Sequence, residues 1–286
     1  AAPILKEHRD VDEVIVFENR DRHKGLKGAT VLVGELRNKR YDVVVDLRNS
    51  AIPYFLKTKH KVTAHETHFK NMNSASRHAI DRHLDVLENA GITITTREMN
   101  VSIPSRAKKK AAEYFKQKGI SGTDGVIAVY PGAGSPYKLY PPDQFREVLE
   151  SIRSECGCKF LMVGSSADRE ICERIMDGFS GEAVCTAGDL DLLELGAALE
   201  RCVIMITNDS GPMHLAVAVG TPTVAIFGPT NAERYGPRGD KHRIVWHREP
   251  CNPCKAPECG RSSCIGDIPP RRIVDAALSL LVKENV

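Results

Sequence analysis

The chain has 286 residues, of which 42% are hydrophobic and 27% charged, and its formal net charge is +3. A chain of this length and composition is typical of a globular protein with about two domains. The small net charge gives no field that would gather nucleic acid, and no apolar run reaches the ~20 residues needed to span a bilayer. We therefore expect neither a nucleic-acid partner nor a membrane span.

The first part of the chain mixes strand and helix patterns. Val14–Phe17 and Tyr41–Leu47 are short apolar runs that predict strands, and Val62–Ala64 predicts a third, shorter one. Apolar residues at helical spacing predict the following helices: Gly28–Lys39, Ala51–Leu56, His78–Ala90 and Ser105–Lys118.

A basic cluster lies between the second of these helices and the short strand. It consists of Lys57, Lys59, His60 and Lys61. A solvated loop is one interpretation of such a run. The other is a seat for an anionic acceptor, because Arg48 ends the neighbouring predicted strand and is expected to face the same edge.

Three glycines in the seven residues Gly119–Gly125 predict a linker, so we place domains at 1–121 and 122–286. After the linker, short apolar runs alternate with helical patterns, which predicts a parallel sheet with helical crossovers. The predicted strands are Val126–Tyr130, Lys159–Val163, Ala183–Cys185, Val203–Ile206, Thr223–Phe227 and Ile244–Trp246. The predicted helices are Asp143–Glu155, Ala167–Asp177, Leu190–Leu199, Met213–Val219 and Pro270–Lys283, the last crossing back towards the first domain.

The polar stretch Thr207–Gly211 joins a buried strand to an apolar helix. Pro212 fits the first helical position, and the free N–H groups there form an anion site with the positive end of the helix dipole. Ser210 and Gly211 let a phosphate approach the backbone. His214 is either a ligand contact or a structural histidine. Asp209 is either a functional carboxylate or the N-cap of the helix.

A second polar loop follows the first strand of the second domain. Its residues are Gly132, Ala133, Gly134 and Ser135, and their N–H groups can surround an anion. Lys138, a few residues on, is either a point charge for a pyrophosphate or a solvated loop lysine. Asp168 follows the next strand, where a carboxylate either accepts the hydroxyls of a ribose or caps a helix.

The nine cysteines fall into two groups. Five are scattered through predicted elements and are expected to be reduced thiols in a cytoplasmic protein: Cys156, Cys158, Cys172, Cys185 and Cys202. The other four have the spacing C-x2-C-x4-C-x4-C: Cys251, Cys254, Cys259 and Cys264. Four thiols this close together suit structural zinc or an iron–sulfur cluster, or they are free or variably oxidised.

Two motifs in this chain resemble the signatures of glycosyltransferase family 9, the ADP-heptose:lipopolysaccharide heptosyltransferases and their relatives. The first is Asp209-Ser210-Gly211-Pro212-Met213-His214, followed by Phe227-Gly228-Pro229-Thr230. The second is Pro131-Gly132-Ala133-Gly134-Ser135-Pro136-Tyr137-Lys138, followed by Tyr140-Pro141. The resemblance implies an α/β protein of GT-B architecture, with two doubly wound Rossmann-like domains and the donor between them.

The resemblance also implies a reaction. Heptose would pass from ADP-heptose, with inversion, to the lipopolysaccharide inner core or a related glycan, without a required cofactor or metal. In the family, the acid corresponding to Asp168 holds the ribose, and Leu190 resembles the residue that lies against the adenine. Lys138 and Asp209 are the residues to which we assign a part in the reaction, Asp209 as a donor-positioning group. A cytoplasmic protein follows, with peripheral contact at the inner membrane left open.

The chain starts at Ala1 without an initiator methionine or a first strand. Compared with the family, its first domain is expected to lack the initial β-α-β, whose loop carries the catalytic aspartate in the family. We therefore expect this chain to bind ADP and to transfer sugar at a negligible rate. The alternatives are a family 9 transferase with another nucleotide sugar, a nucleotide-sugar-binding module without turnover, or a metal-stabilised interaction protein.

Overall fold

A computed structural model describes residues 2–18, 22–48, 50–63, 77–121, 125–248 and 264–282. Contacts divide the chain into two compact units. The N-terminal unit is Asp10–Glu98, and the C-terminal unit is Met99–Val286 together with Pro3–Arg9, which carries most of helix α1 (Ala2–Lys6).

The N-terminal unit contains α2 (Gly25–Arg37), β1 (Tyr41–Asp46), α3 (Ile52–Phe55), β2 (Thr58–Thr63) and α4 (Ala79–Glu88). The strands β1 and β2 are parallel, with Tyr41 opposite Thr58 and Asp46 opposite Thr63. The helix α2 buries Leu32, and the added Cβ of an alanine at Gly28 would lie 2.1 Å from the His23 backbone. This close approach fixes where the segment before α2 meets the helix.

Two predictions for this unit are wrong. Val14–Phe17 is not a strand, since it forms no ladder with another described strand. The described strands of this unit are β1 and β2, which pair with each other. Lys59, His60 and Lys61 do not form a loop, because they lie within β2, where their backbone pairs with β1.

The C-terminal unit is built on a six-stranded parallel sheet in the order β5-β4-β3-β6-β7-β8. The strands are β3 (Val126–Tyr130), β4 (Lys159–Met162), β5 (Ala183–Cys185), β6 (Ile204–Asn208), β7 (Thr223–Phe227) and β8 (His242–Trp246). The order runs outwards in both directions from β3 and β6. This pair is therefore the topological switch point, where open α/β sheets bind ligands.

Helices cover both faces of this sheet, so its central strands are buried on both sides. They are α5 (Ser105–Gln117), α6 (Pro142–Cys156), α7 (Arg169–Met176), α8 (Leu192–Leu199), α9 (Gly211–Ala218), α10 (Ala232–Tyr235) and α11 (Pro270–Leu281). Residues of β3 alternate between two apolar cores: Ile127 and Val129 pack with α6 and α11, while Val126 and Ala128 pack with α5 and α8. The period of two along a strand produces this division.

Helix α5 packs within the C-terminal unit. Ala107, Ala111 and Phe115 form its buried stripe at intervals of four, and the stripe faces α8. Upstream, the Val101 N–H donates to the Ala218 carbonyl at 3.0 Å. The division between units thus follows Glu98 and differs from the expected boundary at 121/122. Helix α5 precedes the glycine-rich stretch, but its apolar stripe packs within the C-terminal unit.

The cysteines differ in part from expectation. Cys156 and Cys158 form a disulfide, because Gly157 takes a φ of 62° at the end of α6 and turns the second cysteine back to the first. Burial raises the pKa of Cys202 to about 12, and burial with the neighbouring Cys185 does the same for Cys172. Both thiols therefore stay protonated. Cys251, Cys254 and Cys259 lie outside the described residues.

None of the described helices has both the length and the apolar character that crossing a bilayer would require.

Replacing Phe115 tests whether α5 belongs to the core of the C-terminal unit. We expect Phe115→Ala to lower the free energy of unfolding by about 3–5 kcal/mol, because it leaves a cavity where a fully buried ring stood. Lys109→Ala, on the exposed side of the same helix, is the control and is expected to change it little. Denaturant unfolding measures both, and a small loss for Phe115→Ala would contradict the packing.

Candidate active site

Three loops at the carboxyl edge of the large sheet meet at one carboxylate. Lys138, after β3, places its Nζ 2.7 Å from Oδ2 of Asp209, after β6. Thr230, after β7, donates its hydroxyl to the same oxygen at 2.6 Å. Asp209 is only 7% exposed, whereas 29% of the Lys138 side chain is exposed. The arrangement is a buried anion held by two donors, with its cation reaching towards solvent.

The turn that carries Lys138 is fastened at its far end. Lys138 closes a single 3₁₀ turn, Pro136–Lys138, whose last N–H donates to the Ser135 carbonyl at 3.0 Å. Two residues on, the fully buried Tyr140 donates its hydroxyl to the Ile268 carbonyl at 2.8 Å. Burial raises the pKa of Tyr140, so the phenol stays a neutral donor. These bonds limit how far Lys138 can shift.

Asn208 joins the first two loops, and the sequence did not single it out. Its Nδ2 donates to the Pro131 carbonyl at 2.7 Å, and its Oδ1 accepts from the Tyr140 N–H at 3.3 Å. The side chain is fully buried at the end of β6. A buried amide that satisfies backbone groups on both sides fixes the spacing of the loops. Its position directly after an apolar strand was the available signal.

The N-terminus of α9 excludes one of the two interpretations of Asp209, that of the N-cap. Ser210 is the N-cap, accepting from the Met213 N–H at 3.4 Å, so Asp209 is not the cap. The Ser210 hydroxyl also lies 3.1 Å from that of Thr207. An added Cβ at Gly211 would meet nothing within 4 Å, which leaves the first turn open to a ligand. His214, one turn into α9, is partly buried.

The glycine-rich loop after β3 has one crowded glycine and one open one. A Cβ at Gly132 would lie 2.3 Å from Oδ1 of Asp168 and 2.7 Å from the Tyr130 hydroxyl. A Cβ at Gly134 would meet nothing within 4 Å. Gly132 is therefore needed for the backbone to pass close to Asp168.

Asp168 is the last residue of the 3₁₀ turn Ser166–Asp168, which precedes α7, and it forms a capping box with the N-cap Ser165. Its Oδ2 accepts from the Ser165 N–H at 2.8 Å and the Ser165 hydroxyl at 2.6 Å. The Tyr130 hydroxyl also reaches it, at 3.5 Å. Burial, followed by the nearby Asp168 charge, raises the pKa of Tyr130 to about 12. Asp168 thus does not act as the predicted N-cap, because Ser165 takes that position in the turn and the Asp168 side chain caps no N–H of α7. Its Oδ1 lies on the side of Gly132.

Leu190 is partly buried against the core of α5 and α8. Its neighbour Asp189 accepts from the Tyr114 hydroxyl and from the Arg169 guanidinium, both at 2.7 Å. The hydrogen bond from Tyr114 is the largest influence that lowers the pKa of Asp189. An ionised Asp189 with two donors fixes the loop after β5 that presents Leu190.

We expected the basic residues of the N-terminal unit to lie at one edge of the strand pair, but they do not. Arg48 follows β1, and its N–H donates to Oδ1 of Asp46 at 2.8 Å. Lys57 precedes β2, next to the opposite end of the pair, and the two ends of β1 are roughly 17 Å apart at ~3.3 Å per residue. Lys59 pairs with Asp42 at 3.1 Å, whereas Lys61 lies 6.0 Å from the centre of the Tyr54 ring. The register of the parallel pair therefore places Arg48 near the carboxyl end and Lys57 near the amino end.

No three histidine, cysteine or acidic side chains converge on a cation site within the parts of the chain that the structure describes. The site found here is therefore made of a lysine, a carboxylate, hydroxyls and a helix N-terminus.

A six-stranded parallel sheet with helices on both faces and polar loops at its switch point is a Rossmann-like domain, the kind of domain from which GT-B proteins are built. The comparisons agree with this fold. The chain belongs to glycosyltransferase family 9 (heptosyltransferase), whose family model matches residues 30–264. It is thus a glycosyltransferase, and the predicted family, fold class and enzyme class are confirmed.

Relatives in this family give the extent of the similarity. Lipopolysaccharide heptosyltransferase 3 of Escherichia coli (strain K12) is 27% identical over 248 residues, which is 80% of this chain and 71% of that protein. Lipopolysaccharide heptosyltransferase 2 of the same strain is 26% identical over 309 residues, covering 99% and 88%.

Solved structures agree with the sequence relatives. A glycosyl transferase family 9 protein from Veillonella parvula DSM 2008 has a TM-score of 0.84 at 25% identity, covering 98% of this chain and 85% of that one. The ADP-heptose lps heptosyltransferase II of E. coli has a TM-score of 0.73 at 23% identity, covering 99% and 87%.

The two glycines of the first loop make a matched pair for mutation. We expect Gly132→Ala to lower the free energy of unfolding of the ligand-free protein by about 1–3 kcal/mol, because the new methyl collides with Asp168 and Tyr130. Gly134→Ala should change it little, since its methyl would project into open space. Denaturant unfolding of both variants makes the comparison. Equal losses would show that the loop does not approach Asp168 as described.

Proposed function

We propose that this protein transfers heptose from ADP-heptose to the lipopolysaccharide inner core or a related glycan. The observation that carries the proposal is the meeting of Lys138, Asp209 and Thr230 beside the open N-terminus of α9. Relatives named as lipopolysaccharide heptosyltransferases, and the E. coli structure named for ADP-heptose, support the donor and the acceptor class.

In this proposal the diphosphate lies between Lys138 and the first turn of α9. Lys138 supplies a positive charge, while Ser210 and Gly211 offer backbone N–H groups at the positive end of the helix dipole. Gly132–Ser135 borders the same space from the loop after β3. Asp168 would accept a ribose hydroxyl through Oδ1, and Leu190 would lie against the adenine. His214 is the remaining polar contact on α9.

These groups would act on the leaving group. When the anomeric bond breaks, negative charge grows on the diphosphate, and donors already aimed at that place stabilise the transition state. The acceptor hydroxyl attacks from the opposite side, so the configuration inverts, and a general base must take its proton. Asp209 is a donor-positioning residue in this scheme rather than that base, because Oδ2 already holds two donors.

The acceptor would meet the N-terminal unit. A phosphorylated core is anionic, and Arg48 and Lys61 are the basic residues towards the carboxyl end of the β1–β2 pair. Lys57 and Lys59 lie towards the amino end, so we no longer expect all four to act together. Because such an acceptor is a glycolipid on the inner membrane, we infer a cytoplasmic reaction at that surface.

A transfer assay tests the proposal as a whole. The chain is incubated with ADP-heptose and an inner-core acceptor that lacks the heptose, while ADP release and the mass of the acceptor are measured. Calorimetric titration with ADP, GDP and UDP, run alongside, tests the nucleotide. Preference for GDP or UDP would contradict the donor, and a product whose mass differs from that of the acceptor plus one heptose would contradict the reaction. Binding with negligible transfer is the outcome that the sequence predicts for this chain.

Removing the Lys138 charge should weaken the donor site. We expect Lys138→Ala to raise the Kd for ADP by roughly 10- to 150-fold, which is the ~1.5–3 kcal/mol of a charge-assisted hydrogen bond. Lys159→Ala is the matched control, since Lys159 pairs with Glu182 at the amino end of β4, away from the proposed site. Unchanged ADP affinity in the Lys138 variant would remove this lysine from the donor site.

Charge reversal distinguishes the basic residues at the carboxyl end of the β1–β2 pair from those at its amino end. We expect Arg48→Glu with Lys61→Glu to raise the Kd for the acceptor roughly 10-fold, because two anion contacts are lost, while the Kd for ADP stays constant. Lys57→Glu with Lys59→Glu carries the same change of charge at the opposite end and should have a smaller effect. Calorimetric titration with the acceptor decides, since it needs no turnover. Equal effects of the two pairs would indicate general electrostatics instead of a binding site.

A further inference from the structure

Thr230 is the residue of the motif at 227–230 whose side chain contacts Asp209. Its hydroxyl is 2.6 Å from Oδ2 of Asp209, and the Lys138 ammonium is 2.7 Å from the same atom. Within the described parts of the chain, the side-chain hydrogen bonds to Asp209 thus reach Oδ2, and none reaches Oδ1. A neutral donor and a cation share one oxygen of a buried carboxylate.

The two donors respond differently to an anionic ligand. A diphosphate attracts the Lys138 ammonium, so the lysine has to divide its hydrogen bonds between the phosphates and Asp209. Asp209 then lies near the negative charge of the diphosphate, while its hydrogen bond from Lys138 is weaker. The Thr230 hydroxyl carries no net charge and is not drawn towards the phosphates in the same way. It can keep Oδ2 in place when Lys138 turns to the donor.

The segment around Thr230 is itself well held. The Trp246 indole N–H donates to the Gly228 carbonyl at 3.2 Å. A Cβ at Gly228 would lie 2.7 Å from the Cβ of Ile265, so the backbone here rests against a buried side chain. On the other side, Asn231 caps α10 by accepting from the Arg234 N–H at 3.1 Å. Anchors on both sides fix the direction of the Thr230 hydroxyl.

Resting on the donor site proposed above, we propose that Thr230 is a positioning residue for recognition of the donor sugar. By holding Oδ2, it aims Oδ1 of Asp209 at hydroxyl groups of the sugar that follows the diphosphate. The ligand it favours is therefore the complete nucleotide sugar rather than the nucleoside diphosphate. ADP lacks the sugar hydroxyls that Oδ1 would accept, so its binding depends less on this hydrogen bond.

The measurement is the ratio of the Kd for ADP to the Kd for ADP-heptose, obtained by calorimetry on the full chain. We expect Thr230→Val, which keeps the shape and removes the donor, to lower this ratio roughly 10-fold. Thr230→Ser restores the hydroxyl and should restore the ratio. Thr221→Val is the matched control, because it removes a buried threonine hydroxyl that donates to the Leu199 carbonyl at 2.8 Å near the start of β7. It should cost stability and leave the ratio unchanged.

A double-mutant cycle shows whether Thr230 acts through Asp209. If it does, Thr230→Val should have no further effect on the ratio when Asp209 is already alanine. Additive losses, or a Thr230→Val variant with the wild-type ratio, would overturn this inference while leaving the proposed function intact. A wild-type chain that does not bind ADP-heptose would overturn the proposed function, and the inference with it.

Discussion

The pairing of Lys138 with the buried carboxylate of Asp209 is the interaction on which the rest of the site depends. A carboxylate that is 7% exposed has lost most of its water, and an unpaired charge there would cost several kcal/mol. Lys138 and Thr230 compensate it from two other loops. The loops after β3, β6 and β7 are therefore held to one another through a single oxygen atom, and a ligand that competes for Lys138 competes with this arrangement.

The sheet brings these loops together without any special local sequence. Because β3 and β6 are neighbours although three α-helices, two 3₁₀ turns and two strands separate them in the chain, their carboxyl ends open into the same crevice. Asn208 then sets the width of that crevice by bonding the Pro131 carbonyl and the Tyr140 N–H. The topology brings the loops to one place, and buried hydrogen bonds set the spacing between them.

Much of the second domain could be predicted because its signals are local. Apolar runs gave every strand of the large sheet to within a few residues, and Pro212 with Gly220 marked the ends of α9. What could not be predicted depends on partners distant in sequence. The pattern of apolar residues in α5 does not indicate which unit the helix joins. The apolar run Val14–Phe17 does not indicate that it pairs with no other described strand. Asn208, the capping box of Asp168 and the Cys156–Cys158 bond are further contacts that the patterns did not single out. The register of β1 with β2, which separates Arg48 from Lys57, belongs with them.

The turn from Ile265 to Ile268 contacts both loops of the proposed donor site. Ile265 supports Gly228 in the loop of Thr230, and the Ile268 carbonyl holds Tyr140, two residues from Lys138. A substitution that shifts this turn would move both loops together, although neither isoleucine would touch the donor. Substitutions at 228, 265 and 268 would therefore have to compensate one another for both loops to keep their positions. Variants that lose donor binding would arise there as readily as among residues that face the ligand.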